Sequence, residues 1–182
     1  PKGILFHARI LEIFRTEQEV TCAVEKDGGD DPDITTGALI YSTVRFRTCS
    51  EKIAGEEFTE KNKMREKNSR IFIEGGMGVG RVTKPGLDQP AGNAAINHVP
   101  REMIIKEVQE VCTLTDFSGD LDIIISVPEG ERLAEQTFNP RLGILGGISI
   151  LGTSGIVEPM SAQALLDTIR VELNQKKAQG YE

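Results

Sequence analysis

The most constraining feature of the sequence is the mainly apolar run LDIIISV at residues 121–127, which Pro128 closes. An apolar run of this length is typical of a strand that is buried on both faces of a sheet. Such a strand needs neighbouring strands on both sides and other elements to cover it. We therefore expect residues 121–127 to form a central strand.

Short-period apolar patterns rich in β-branched residues predict further strands. They lie at residues 4–14, 20–24, 38–46 and 71–73. The first two are separated by a short polar connection and are expected to pair as a hairpin. Residues 51–70 carry charges of both signs and predict a solvated helix or an extended surface arm.

Helix-start signals and apolar periodicity predict a helix at residues 100–112, a helical segment at 129–137, and a last helix that Ser161 caps. In the last helix we expect an apolar inner face, formed by Leu165, Leu166, Ile169 and Leu173. Strands thus cluster early and helices late. This order favours an α+β fold, a mixed β-sheet layer packed against helices, in a single domain over residues 1–182.

Composition excludes several classes of protein. Cys22, Cys49 and Cys112 lie far apart and the chain has only two histidines, which disfavours a structural zinc site or a disulfide framework. The net charge of -7 disfavours nucleic acid as a partner but leaves room for a local cationic pocket. No run approaches the ~20 apolar residues of a membrane span, and the start lacks the basic and apolar regions of a signal peptide, so we expect a cytoplasmic protein. Because the chain begins at Pro1 without an initiator methionine, we also expect it to be part of a longer protein.

The segment GGMGVGRVTKPGL, residues 75–87, places glycines at 75, 76, 78 and 80. Their spacing is not the GxGxxG of dinucleotide-binding folds, and no helix signal follows them. The segment offers exposed backbone N–H groups beside Arg81, Thr83 and Lys84, a combination that can hold carboxylates or phosphates. The alternative is a glycine turn flanked by surface cations.

A second glycine-rich run spans residues 143–155 and contains Thr153 and Ser154 between glycines. Asn139, Arg141 and Glu158 flank it and are candidates to face one cavity. Alternatively, Asn139 ends the preceding helix, Arg141 pairs with an acidic neighbour, and the GTSG stretch is an ordinary turn.

Two further groups of residues have simpler interpretations. Asp27, Asp30, Asp31 and Asp33 crowd one turn but lack the ligand spacing of a calcium loop, so aspartates that cap backbone amides are favoured over a metal site. His98 is a candidate acid or base, although a role at the start of a helix accounts for it more simply.

Four blocks resemble the CbiD family in that family's order: DDPDITTGALI, GGMGVGRVTKPGL, AAINHVPREMI and SVPEGERLAEQTFNPRLGILGGISILGTSGIVEPMS. They cover most of residues 27–161. His98 stands where the family favours proline, and Ser154 where threonine is commoner. Members of the family are longer at both ends.

The resemblance implies methyl transfer from S-adenosylmethionine to carbon 1 of a cobalt-bearing corrinoid, cobalt-precorrin-5B, to give cobalt-precorrin-6A. The cobalt would arrive with the substrate, so no protein metal site is expected. Asp30 and Glu158 are candidates for removing a proton from the macrocycle. The expected contacts to the carboxylate-rich ring are Gly76, Gly78, Gly80, Arg81, Thr83, Lys84, Arg101, Asn139, Arg141, Thr153 and Ser154.

A different class of function remains open: a non-catalytic module that binds a tetrapyrrole or a nucleotide. In either case the expected partner is a small molecule, with neither nucleic acid nor membrane involved. Assembly into a homo-oligomer is left open.

Overall fold

The computed structural model describes residues 8–29, 33–47, 69–151, 162–178 and 180. Most of the charged segment at 51–70 lies outside these ranges, as does Cys49. Among the described residues, Cys22 and Cys112 are free thiols. Within the described ranges, no helix is long and apolar enough to cross a membrane.

The structure contains seven described strands: β1 (Ile10–Arg15), β2 (Glu19–Glu25), β3 (Leu39–Phe46), β4 (Ile71–Gly75), β5 (Arg81–Val82), β6 (Leu121–Ser126) and β7 (Ile144–Leu145). Five of them form one mixed sheet in the order β1-β2-β3-β6-β4. β6 lies inside this sheet, antiparallel to β3 and parallel to β4. The very short strands β5 and β7 form a separate antiparallel pair.

Two predictions about this sheet are confirmed. β1 and β2 form the predicted hairpin. The mixed sheet and its helices give the predicted α+β class.

The interior position predicted for residues 121–127 is confirmed. Leu121, Ile123 and Ile125 of β6 are buried on the face that packs against helix α1 (His98–Leu114). On the opposite face, successive β6 side chains point away from that core because strand side chains alternate. There Ile124 and Ser126 stay partly exposed, so burial is complete on one face only.

Asp122 is the charged residue of this opposite face, and its residue surface is only 3% exposed. Its carboxylate lies 3.3 Å from Arg45 Nε and 3.8 Å from Arg47 Nη1. The Arg47 guanidinium also lies 3.5 Å above the ring of Phe72 in β4. A buried carboxylate requires such compensation, so this cluster fastens β3 and β4 to the central strand.

The turn between β2 and β3 confirms the expected role of its described aspartates. Asp27 Oδ1 accepts a hydrogen bond from the Gly29 amide, and Asp33 Oδ1 accepts one from the Thr35 amide, both at 2.8 Å. Burial by itself would raise the pKa of Asp33, but hydrogen bonds from Lys26 and Thr35 outweigh it and lower the pKa. These carboxylates therefore stabilise a turn.

α1 contains the predicted helix at 100–112 and presents Ile104, Val108 and Cys112 to the core, as its periodicity indicates. Val111, which the same periodicity predicts on the buried face, is 58% exposed, so the prediction is wrong for that residue. The segment predicted to be helical at 129–137 is shorter than expected. It forms α2 (Gly130–Ala134), and a separate short helix, α3 (Asn139–Leu142), follows. Asn139 therefore begins a helix here, with Pro140 in its first turn.

The last helix is present as α4 (Ala162–Ala178), but the prediction of a buried inner face is wrong where it is described. Leu166, Ile169 and Leu173 are 50%, 47% and 63% exposed. Ser161 and the side chain of Leu165 lie outside the described structure. Apolar periodicity indicates that one face of a helix is suited to a partner, but it does not identify the partner.

Candidate functional site

The carboxyl ends of β4 and β6 meet at one edge of the sheet because the two strands are parallel. Residues 76–97 follow β4 and residues 127–151 follow β6, and backbone hydrogen bonds join the two segments. We name these segments together the carboxyl edge. Loops at such an edge are free to vary while the strands hold them in place, which makes this the usual place for a ligand in sheets with parallel strands.

The glycines of the carboxyl edge are closely packed against each other. Gly80 N donates to Ile148 O at 2.8 Å, Ile148 N donates to Gly78 O at 3.0 Å, and Gly76 N donates to a β6 carbonyl at 2.8 Å. A Cβ atom on Gly147 would lie 2.1 Å from Gly78 O. The prediction of exposed backbone N–H groups is therefore wrong for Gly76 and Gly80, whose donors hold the two segments together.

Arg81 projects from this packed layer and is half-exposed. Its Nη1 lies 2.9 Å from Glu74 Oε1 at the end of β4 and donates to Gly92 O at 3.3 Å. The ion pair orients the guanidinium at the surface of the edge. Glu74 is a partner that the sequence did not indicate, because six residues, which form a turn, lie between it and Arg81.

Arg101 occupies a different environment on the first turns of α1. Its Nε donates to Ile96 O at 2.8 Å and its Nη1 donates to Ile73 O at 2.9 Å. Burial lowers the pKa of Arg101, while the nearby carboxylates Glu74 and Asp88 act in the opposite direction. The side chain therefore ties α1 to the end of β4.

His98 is the first residue of α1, and its partner is Asp88. Asp88 Oδ2 accepts a hydrogen bond from the His98 amide at 2.8 Å, and its other oxygen pairs with His98 Nδ1. The hydrogen bond and the charge of Asp88 raise the pKa of His98. Burial would raise the pKa of Asp88, but hydrogen bonds from Gln89 and His98 lower it instead.

This arrangement confirms the helix-start role of His98 and corrects its details. Asn97 makes no side-chain capping bond, so the capping carboxylate comes from Asp88, ten residues upstream. Sequence reasoning missed Asp88 because a capping residue is normally sought next to the helix.

Lys84, two residues after β5, lies against Arg141 of α3. Lys84 Nζ donates to Arg141 O at 3.2 Å, and the Arg141 guanidinium lies 5.9 Å from the ring of Phe138. Thr83 Oγ1 donates to Gly143 O at 2.8 Å and holds the same region. Lys84 and Arg141 line a cleft of about 330 Å³ with α4.

Asn139 is buried beside this cleft, and its Oδ1 accepts a hydrogen bond from Ser149 Oγ at 3.1 Å. This hydrogen bond joins the start of α3 to the segment that follows β7. Four other candidates lie outside the described residues: Asp30, Thr153, Ser154 and Glu158.

The carboxyl edge thus presents Arg81 at one place and the pair Lys84 and Arg141 at another. Within the described ranges, no group of three or more histidine, cysteine or carboxylate side chains is placed to hold a metal ion. The available chemistry is the binding of anionic groups by cations and hydroxyls on a rigid support.

Fold and site together define a class, an α+β domain with half-exposed cations at the carboxyl edge of a mixed sheet. The chain belongs to the CbiD family, whose sequence pattern matches residues 1–159. The resemblance found in the sequence blocks is thereby confirmed.

Relatives named cobalt-precorrin-5B C(1)-methyltransferase match almost the whole chain. The protein from Ruminiclostridium cellulolyticum is 47% identical over 182 residues, which are 100% of this chain and 42% of the relative. The one from Clostridium botulinum is 48% identical over 178 residues, 97% of this chain and 44% of the relative. The crystal structure of the cobalamin biosynthesis protein cbiD from Archaeoglobus fulgidus matches with 27% identity and a TM-score of 0.51, over 88% of this chain and 45% of that one. The chain therefore spans less than half the length of these proteins.

Proposed function

We propose that this chain is the substrate-binding part of a cobalt-precorrin-5B C(1)-methyltransferase, which transfers a methyl group from S-adenosylmethionine to carbon 1 of the cobalt corrinoid. The observation that carries the proposal is the 47% identity to a relative of that name across all 182 residues. Because the match spans all 182 residues, it covers the strands, the glycine turns and the carboxyl edge. The cobalt belongs to the substrate.

The reaction requires little covalent chemistry from the protein. A bond forms between carbon 1 and the methyl carbon while the bond from that carbon to sulfur breaks, and its electron pair remains on the sulfur. The positive charge then passes to the macrocycle, which loses a proton. Alignment of the three reacting atoms is the main contribution that a protein can make to such an in-line displacement. A rigid edge that fixes the ring serves this purpose.

Recognition of the ring depends on its peripheral carboxylates. Arg81, Lys84 and Arg141 are half-exposed or exposed at the carboxyl edge and are our candidates for ionic contacts. Arg101 and Asn139 use the polar atoms described above inside the fold, so we assign them to holding the edge in shape. Asp30 and Glu158 stay candidates for accepting the proton, and Thr153 and Ser154 for contacting the ligand.

A chimera tests the proposal, since the chain matches less than half of its relatives. The 182 residues replace the matching segment of the Ruminiclostridium cellulolyticum protein, and methyl incorporation from labelled S-adenosylmethionine into cobalt-precorrin-5B is measured without oxygen. We expect the chimera to methylate at a rate within about tenfold of the unaltered relative. A tenfold change corresponds to about 1.4 kcal/mol of activation free energy, and we expect the substitutions between the exchanged segment and the rest of the relative to cost no more than this. A chimera that also carries Arg132→Ala, which removes an exposed cation that pairs locally with Glu129, is the control and should methylate at the same rate as the chimera itself.

Two outcomes would count against the proposal. Corrinoid binding without methyl transfer, in a folded chimera beside an active relative, would favour the non-catalytic binding module. Loss of both binding and transfer would reject the methyltransferase assignment of this chain.

A further inference from the structure

The cleft beside α4 has an unusual combination of walls. Three cationic side chains line it together with one carboxylate, namely Lys84, Arg141, Lys176 and Glu172. The rest of the wall is aliphatic, from Leu142, Ile169 and Leu173. In a chain of net charge -7, this is a local excess of positive charge next to apolar surface.

Lys84 and Arg141 are not consumed by ion pairs within the described residues. The Lys84 ammonium donates one hydrogen bond to a backbone carbonyl, which leaves two further N–H donors. The Arg141 guanidinium faces the Phe138 ring at 5.9 Å. Both side chains therefore retain donors that can be directed to an anion.

Two side chains of the aliphatic wall belong to α4 and are exposed at the cleft. Ile169 and Leu173 are exposed by about half or more, although they belong to the apolar stripe of α4. Exposed apolar side chains beside cations suit a ligand that is itself apolar on its face and anionic at its periphery. Phosphate or a simple dicarboxylate would use the cations and leave the aliphatic wall uncovered.

We propose that this cleft, between the segment Lys84/Arg141–Leu142 and α4, binds one carboxylate-bearing edge of the corrinoid, with Lys176 as a third cation of the site. The inference rests on the proposed function and adds to it the place of binding and a residue of α4. A volume of about 330 Å³ accommodates an edge of the ring with one or two carboxylate arms, and the remainder of the macrocycle lies outside it. Ile169 and Leu173 cover the apolar ring atoms between the arms.

Equilibrium binding to the full 182-residue chain tests the site without methyl transfer. The probes are cobyrinic acid, a corrinoid whose side-chain carboxylates are free, and its methyl ester, which keeps the ring and lacks those charges. The variants are Lys84→Gln, Arg141→Gln and Lys176→Gln. Lys106→Gln removes an exposed cation from α1 and is the matched control.

Each of the three variants is expected to bind the acid about tenfold more weakly, because each loses one charge-assisted contact. The control should bind like the unaltered chain, and Lys176→Arg, which keeps the positive charge, should bind more tightly than Lys176→Gln. The methyl ester should bind at least about tenfold more weakly than the acid and should be insensitive to all three substitutions. Circular dichroism of each variant verifies that it is folded.

Unchanged affinity for the acid in the three folded variants would overturn the cleft assignment, even if the chimera methylates its substrate. Equal binding of acid and ester, or displacement of the acid by S-adenosylmethionine in direct competition, would also overturn it. Conversely, carboxylate-dependent binding with an inactive chimera would retain the cleft and reject the methyltransferase function.

Discussion

Replacing Gly78 with alanine is expected to destabilise the protein strongly. Gly78 has φ = +70°, and an added Cβ would lie 1.8 Å from the Val127 carbonyl oxygen. A left-handed conformation costs an alanine roughly 1–2 kcal/mol. Overpacking a tight site adds about 1–3 kcal/mol as the neighbours shift. The free energy of unfolding should therefore fall by about 2–5 kcal/mol, the sum of these two contributions.

Gly146→Ala separates the two contributions. Gly146 also has a positive φ, +78°, but no atom lies within 4 Å of its added Cβ. This variant should lose only the conformational part, roughly 1–2 kcal/mol. Gly147→Ala should lose only the overpacking part, about 1–3 kcal/mol. Its added Cβ meets Gly78 O at 2.1 Å, but its backbone is not left-handed.

Urea unfolding followed by circular dichroism measures the difference. With a slope of about 2 kcal/mol/M, Gly78→Ala should lower the midpoint by about 1–2.5 M and Gly146→Ala by no more than about 1 M. The slopes should stay equal, since only a constant slope allows midpoints to be compared. Equal midpoints for Gly78→Ala and Gly146→Ala would refute the close packing described at the carboxyl edge.

Three further substitutions test other parts of the structure. Arg101→Ala should lower the free energy of unfolding by about 1.5–3 kcal/mol, because two backbone carbonyls lose a charged donor; an unchanged urea midpoint would contradict this role. The pKa of His98 is raised above its ordinary 6.5 by Asp88, so the stability from this pair is fully present below that value and is lost as the pH rises through the higher folded-state pKa. His98→Gln should flatten this part of a stability curve measured from acid to alkaline pH, and a curve parallel to the unaltered chain would exclude the coupling. Asp122→Ala should lower the free energy of unfolding by about 3–5 kcal/mol, because it removes the buried carboxylate that Arg45 and Arg47 face. Thermal unfolding within error of the unaltered chain would disprove this expectation.

The strands and the long helix α1 were predictable because their signals are local. β3 and β6 carry runs of β-branched and aliphatic residues, and α1 shows apolar residues at helical spacing after Pro100. Each of these patterns depends only on the alternation or rotation of neighbouring side chains. The order of the strands was not predictable in this way, since pairing joins segments that lie far apart in the chain.

The details of the site depended on contacts that the sequence does not display. A glycine turn with free amides and one with bonded amides have the same composition, and only the approach of Ile148 decides between them at Gly80. Asp88, which caps α1, and Lys176, which lines the cleft, both lie outside the two glycine-rich segments. Lys84 and Arg141 could be named as candidates from the sequence because both are cations beside glycines, and their role in binding stays a prediction.

The bonds between Gly78, Gly80 and Ile148 also have a bearing on how the protein is made. A ribosome that adds ~5–20 residues per second releases the turn after β4 several seconds before its partner segment emerges. Until then the glycine turn has no docking surface, and the aliphatic side chains around it are open to wrong associations in the nascent chain. Closure of this turn therefore waits for the synthesis of Ile148, and slower elongation through the intervening codons should prolong the period in which the turn is unpaired.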